Sequence, residues 1–485
     1  MASLPSSFSY FVSSLGGVSR RSVKVSPNNS TSVKQSETIT FVLPTDSICD
    51  LTTLQWIYKF KYQNASTNTN PIRYVPQPQA LCRSVVWSLN NQAVSGQNNQ
   101  HFSQSMECLR RASCGADNAL SRQDEYSDIP VANLIGVSSS KIFGNANERC
   151  ASNTVSRKCK MTNFLGLQTA PAAPNWDTSI CGETRIQIQL NGNEACLMQS
   201  DEATADAGAT DWELTDVELR LDVISFASAE YDMLMSAMIQ EGSLLIPYNE
   251  LTTQKSLLNS AIRFNVASSS LDMVGFALLN ANHTGATYID TTNGAVHVSN
   301  FGGLSPEQVK FQYRTSGSAS ADTLANMSDS VDATWYFTIN GQVYPSSGAT
   351  QLVDGAEYTK ELYALGKNDY NQLFMDYSST ALTQGMETAL TEPVYPSVNN
   401  REYAKQYKRV NFLNQNCFVA LRTCLDTPSS ESDKRTQSGI NTLGQSSQIQ
   451  LSLNGFNNST DYALMIGQGS STLQVGAGQQ IAVVA

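Results

Sequence analysis

Apolar and polar residues alternate with a period of two along much of the chain. Leu54, Trp56, Tyr58, Phe60 and Tyr62 share one face, with Gln55, Lys59 and Lys61 on the other. Ile186, Ile188 and Leu190 alternate with Arg185, Gln187 and Gln189, and Val217, Leu219, Leu221 and Val223 alternate with Glu218, Arg220 and Asp222. The second half does the same at Val309, Phe311 and Tyr313, at Trp335, Phe337 and Ile339, and at Ile449, Leu451 and Leu453. Such runs predict strands with one dry and one wet face, as antiparallel sandwiches need. Asn340-Gly341, directly after the Trp335 run, is a strong two-residue hairpin signal.

The pattern also repeats at long range. Ile39, Phe41 and Leu43 match Ile262, Phe264 and Val266, 223 residues on (39 to 262), and each strand runs into a polar turn closed by Asp50 or Asp272. Val86 to Val94 (VWSLNNQAV) is echoed by Tyr336 to Tyr344 (YFTINGQVY), 250 residues on (86 to 336). Two β-domains of one kind, laid end to end, would give this order. Helix signals are few. Ser228 can cap a helix over Ala229 to Glu241 before Gly242, and Ala356 to Leu365 is a second short candidate. The first, with LLIPYNE (Leu244 to Glu250), falls midway and reads as a connector.

Length and composition sharpen this. At 485 residues the chain is too long for one ordinary domain. Charged residues make up only 15%, so polar bulk comes from Ser, Thr, Asn and Gln, which suit β-surfaces and turns. A net charge of -11 argues against nucleic-acid binding as the main task. Residues 1–36 differ: they hold Arg20, Arg21, Lys24 and Lys34 and no Asp or Glu. This basic arm reads either as a disordered tail or as an ordered contact to a partner or an acidic interior. There is no signal peptide pattern and no apolar run of about 18 residues that would span a membrane.

Catalytic and metal chemistry find little support. Eight of the ten cysteines lie between Cys49 and Cys196, none in a CxxC pair, and there are three histidines, His101, His283 and His297. No zinc site is expected. Disulfides such as Cys108 to Cys114 or Cys150 to Cys159 compete with reduced, buried thiols. No histidine sits in a nucleophile setting and no GxSxG elbow occurs. The carboxylate pairs Glu357 with Glu361 and Asp201 with Glu202 read as solvated faces rather than a glycosidase pair. No metal, cofactor or catalytic residue is assigned. Trp56, Trp87 and Trp335 fall on strand patterns and read as core. Trp176, in a polar loop after Pro174, reads either as an exposed anchor at a protein contact or as packing that pins the loop.

In order, SETITFVLPTDSICDLTTLQWIYKFKY, LRLDVISFASAEYDMLMSAMIQEGSLLIPYNE, SAIRFNVASSSLDMV, YFTINGQVYPSS and the closing SGINTLGQSSQIQLSLNG to QIAVVA resemble a double jelly-roll major capsid protein. The likeness is to the type of polinton-like viruses, virophages, large eukaryotic DNA viruses and adenovirus relatives. It spans most of residues 37–485 and fades between Gly115 and Ile180. The resemblance implies an all-β fold of two tandem eight-stranded jelly-roll sandwiches with few short helices. Its divisions would be a basic arm (1–36), a first jelly roll (37–227), a connector helix and linker (228–255) and a second jelly roll (256–485). It implies no enzyme activity and no cofactor. The partners would be further copies, in a homotrimeric capsomer and its neighbours, together with penton and minor capsid proteins. The location would be the virion, assembled in the host cytoplasm or nucleus. Arg20, Arg21, Lys24 and Trp176 are the assembly candidates, the arm making a weak contact with the shell interior. Deleting residues 1–30 would then spare trimers but impair shells. The polar stretches Gly115 to Trp176 and Thr315 to Asp332 would build outer or inter-subunit loops. The alternatives are a β-sandwich adhesin or carbohydrate-binding protein, which needs an exposed aromatic platform, and a glycoside-active enzyme, which needs converging carboxylates.

Overall fold

The computed structural model describes residues 18–64, 72–73, 81–106, 154–161, 175–192, 198–199, 209–226, 244–279, 288–290, 295–297, 334–351, 418–425, 438–443, 448–454, 462–476 and 480–484. The expected helices at 229–241 and 356–365, the strand at Val309 to Tyr313, the two carboxylate pairs, His283 and most of the two long loops lie outside them.

The first half supplies eight principal strands: β1 (Val18–Val25), β2 (Thr38–Val42), β3 (Ile48–Asn64), β4 (Cys82–Leu89), β5 (Gln92–Ser95), β6 (Thr154–Lys160), β7 (Thr184–Leu190) and β8 (Ala209–Phe226). They form two antiparallel sheets, β1-β8-β3-β6 and β2-β7-β4-β5. The second half supplies β9 (Leu244–Leu257), β10 (Ala261–Asn265), β11 (Ser270–Leu279), β12 (Thr334–Ile339), β13 (Gln342–Tyr344), β14 (Phe418–Arg422), β15 (Gln448–Asn454) and β16 (Tyr462–Gly476). Their sheets run β9-β16-β11-β14 and β10-β15-β12-β13. Adding eight to each label of the first half gives the second half's order in both sheets. Each half is a jelly-roll sandwich, and the fold is two of them in tandem.

The alternation seen in the sequence is what closes each sandwich. Ile39 and Phe41 pair with Ile188 and Ile186 on β7, which pair in turn with Val85 and Trp87 on β4. The second half repeats the row as Ile262 and Phe264, Leu451 and Ile449, Phe337 and Ile339. All of these are buried. Two cores result, one around Trp56, Trp87, Trp176 and Trp212, the other around Phe264, Phe276, Trp335 and Phe337. The two hairpins corresponding to the echoed segments both place left-handed residues at the turn. These are Asn90 and Asn91 (φ 47° and 68°) and Asn340 and Gly341 (φ 50° and 80°), the backbone a type I′ turn requires.

Two boundaries differ from the sequence expectation. The arm is not separate from the first jelly roll: Val18–Val25 is the edge strand of its larger sheet, paired with β8 from Val18↔Phe226 to Val25↔Leu219. An edge strand need bury little, and of the described side chains of VSRRSVKV, Val23 and Val25 pack against the core while the strand carries three charges. The connector likewise contains a strand. Leu244–Leu257 pairs with β16 along its length, from Leu244↔Val475 to Leu257↔Tyr462. Its alternation is hidden because it serves two cores: Ile246 and Tyr248 belong to the first, Leu251 to the second. The chain end completes this link. β17 (Gln480–Val484) pairs with β16, and its Ile481 and Val483 pack against the first core beside Leu473 and Val475.

Candidate functional site

The sequence-derived candidates fall in two environments. Arg20, Arg21 and Lys24 lie on β1, the last strand of its sheet among the described residues. Arg20 reaches across the sheet, donating from Nε to Asp222 Oδ2 and from Nη2 to Asp50 Oδ2, each at 2.7 Å. The Asp222 hydrogen bond, foremost, then the charges of both carboxylates, raise the guanidinium pKa further above its ordinary value, against the opposing effect of burial. Lys24 Nζ is 3.3 Å from Glu218 Oε2, and Arg220 Nη2 is 2.7 Å from Glu218 Oε1. The ladder Arg20, Lys24 on β1 against Asp222, Glu218 on β8 answers two of the arm's four charges within the chain. Arg21 is exposed and, among the described residues, forms no ion pair.

Trp176 corrects an expectation. Of its two readings, the exposed anchor is the one the structure overturns: the side chain is 1% exposed. The strand Asn175–Asp177 adds to β3, with Trp176 opposite Cys49, and the indole Nε1 donates to Thr184 Oγ1 at 2.9 Å. The following helical turn, α1 (Thr178–Cys181), is capped by Asp177, whose side chain accepts from Ser179 N. The polar setting that suggested an anchor belongs to this cap and turn, while the ring itself fills the core. All five tryptophans are fully buried, so none supplies the exposed platform that a carbohydrate-binding reading needs.

A second polar constellation was missed in the sequence. It lies where the first sandwich meets β9. Gly96 N donates to Glu250 Oε1 at 3.1 Å, Thr253 N to the Asn98 carbonyl at 3.0 Å, and His101 N to Thr253 Oγ1 at 3.3 Å. Thr253 Oγ1 also donates to Asn99 Oδ1 at 3.0 Å, and the Tyr248 hydroxyl donates to the Val94 carbonyl. Burial pushes the Glu250 carboxyl up to about 7, with the Gly96 hydrogen bond pulling the other way. Burial, then the charges of Lys255 and Arg83, lower His101 to about 4. The residues join only in three dimensions. The one local signal was Gly96 after a strand, the residue type a left-handed backbone selects.

Cys49 and Cys181 are buried, free thiols. Burial raises Cys49 and Cys181 to about 12, with the Asp177 charge adding to both, and Cys82 still higher. The expected disulfide positions lie outside the residues whose side chains are described. Among the described residues no group of three or more His, Cys, Asp or Glu converges to hold a metal, and no helix is long and apolar enough to cross a membrane. What the chain presents is sheet edges, charged strand faces and a built junction between two sandwiches.

No family model and no curated protein matches the chain. Solved structures do. PBCV-1 VP54, as fitted into a reconstruction of the virophage Sputnik, matches with a TM-score of 0.53 and 8% identity over 97% of both chains. A PBCV-1 capsid structure matches with a TM-score of 0.52 and 9% identity over 96% of this chain and 97% of the other. The Faustovirus major capsid protein matches at 0.52 and 10%, over 95% and 91%. At these identities the likeness is one of fold. It defines the class: a double jelly-roll protein, with the architecture found in viral major capsid proteins.

Proposed function

We propose that this chain is the major capsid protein of an icosahedral virus and acts by assembly rather than turnover. The observation that carries the reading is the duplication. Both halves have the same strand order, and the pair as a unit, not one sandwich, aligns with capsid proteins over 97% of each chain. Three copies around a closed threefold axis place six sandwiches in a ring, so the capsomer has a pseudo-hexagonal outline and tiles a shell. Sheet edges support self-association. Among the described residues, each of the four large sheets ends on strands paired on one side only, such as β1, β2 and β5, and unpaired edges are stable when a neighbour covers them. Obligate contacts of this kind bury more than about 2,000 Å².

In this reading the protein resides in the virion, assembles in the host cytoplasm or nucleus, and meets neighbouring capsomers, penton and minor capsid proteins. The basic segment contributes Arg21, and to a lesser degree Arg20 and Lys24, to a weak contact at the capsomer base facing the shell interior. Because β1 is a strand of the first sandwich, removing residues 1–30 would damage the fold; Arg21→Ala leaves β1 in place and should spare trimers while lowering shell yield. Size-exclusion chromatography with light scattering, then negative-stain imaging of the main peak, tests the central claim. A compact trimer with a hexagonal outline is expected. A stable monomer at micromolar concentration would overturn it.

A further inference from the structure

We propose that the junction between the two sandwiches is a proton-controlled clamp, closed while the Glu250 carboxyl is protonated against the first sandwich and loosened when it ionises. The clamp is a property of the single chain and stands independently of the capsid reading.

The geometry sets the trap. Glu250 lies on β9, the strand that serves both cores, and reaches the 96–101 segment that leaves β5. Gly96 is held with φ 81°, and a Cβ there would stand 1.8 Å from the Val85 carbonyl oxygen, so this position admits glycine alone. Its N–H is therefore fixed in direction. Among the described residues it is the one hydrogen bond that the Glu250 side chain receives, and no cation pairs with that carboxyl. A carboxylate needs several donors or a counter-charge to ionise comfortably in a partly buried place; a neutral carboxyl does not. Ionisation thus favours rotation of the side chain toward water, which opens the Gly96 contact and the neighbouring Thr253–Asn98 and His101–Thr253 bonds.

The surrounding groups do not remove the cost. On β9 the nearest titratable neighbours are Tyr248, whose own pKa is raised by burial and then by Glu250, and Lys255, whose Nζ lies 4.4 Å over the Tyr462 ring. The first sandwich contributes His101 and Arg83; the charges of Lys255 and Arg83 both act on the His101 imidazole. On β16 the residue opposite Glu250 is Gly469, flanked by uncharged Gln468 and Ser470, with Asp272 of β11 one hydrogen bond further, accepting from Ser470.

The direction with pH follows from proton counting. In the folded chain Glu250 keeps its proton to about pH 7, against an ordinary value of 4.5. The unfolded or opened chain therefore binds fewer protons between these values. The stability contributed is full below pH 4.5 and is lost as pH rises through 7. His101 acts oppositely: lowered from 6.5 to about 4, its contribution is full above 6.5 and is lost as pH falls. In the wild-type protein the two nearly offset each other from pH 5 to 7, so each variant should unmask the other.

The test is hydrogen–deuterium exchange of the full-length protein between pH 5.5 and 8.5, read on peptides covering 94–106 and 244–257 and corrected for the intrinsic rate. Wild type should lose protection there by about two- to threefold from pH 6 to 8, the Glu250 effect being partly offset by His101, with peptides from β2, β7, β10 and β15 unchanged. Glu250→Gln, which keeps the acceptor but cannot ionise, should hold its protection to pH 8.5 and lose it only toward low pH. His101→Asn, without that offset, should lose about tenfold over the same range. Equal pH dependence in wild type and Glu250→Gln would overturn the proposal, as would a loss spread evenly over both sandwiches.

Discussion

Replacing Trp176 separates a core residue from an assembly anchor. The indole is buried beside β3 and its Nε1 donates to Thr184, itself fully buried. A tryptophan buries about 150–250 Å², which at about 25 cal/mol per Å² corresponds to about 4–6 kcal/mol. Measured Trp→Ala changes in cores centre on about 3–5 kcal/mol once relaxation is included. Trp176→Phe keeps most of the area and loses one hydrogen bond of about 1 kcal/mol plus a small void, so about 2 kcal/mol is expected. Thr184 Oγ1 retains its own bond to the Gly182 carbonyl, which limits the damage. Four of the five tryptophans belong to the first core and Trp335 to the second. In a Trp335→Phe background the fluorescence therefore reports the first sandwich alone. Urea unfolding should show the midpoint of that signal falling by about 1–2 M for Trp176→Ala, taking a slope of about 2–3 kcal/mol/M. It should fall by about half that or less for Trp176→Phe, whose oligomeric state should match the parent. An unchanged midpoint in Trp176→Ala together with lost oligomerisation would refute the burial argument and restore the side chain to an intermolecular contact.

Three further outcomes are expected. Deleting residues 478–485 removes Ile481 and Val483 from the first core although they close the chain's far end, so the first sandwich should lose about 2 kcal/mol, seen in the same fluorescence transition. Arg20→Ala leaves Asp50 and Asp222, directly opposed on neighbouring strands, without their shared cation; its melting temperature should drop, and adding Asp222→Asn should recover part of the loss, whereas additive losses would mean the ion pairs are not coupled. Cys49 and Cys181, with thiols pushed to about 12 by burial, should resist a thiol reagent at pH 8 until denaturant is added, and mass spectrometry of the labelled protein would show it.

The candidate sites were less legible than the fold, for a physical reason. The charge of Arg20 and Lys24 was visible in the sequence, but its answer was not: Asp222 is 202 residues from Arg20. Glu250 and Gly96 are 154 residues apart, and neither residue type announces the other. Trp176 gave no sign of its direction, because an indole beside a proline in a polar loop can point either way; the cap at Asp177 and the extra strand on β3 decide it.

The sequence by itself determined the strongly alternating strands with their wet and dry faces, the two hairpin turns and the duplication. These depend on local periodicity and on turn backbones that only Asn or Gly adopt readily, and both are written residue by residue. Only the tertiary structure decided where each sandwich begins and what joins them. β1 is an edge strand with little to bury, and β9 divides its side chains between two cores, so neither shows a simple alternation. Membership of such strands is set by the neighbours that cover them, and those neighbours arrive from distant parts of the chain.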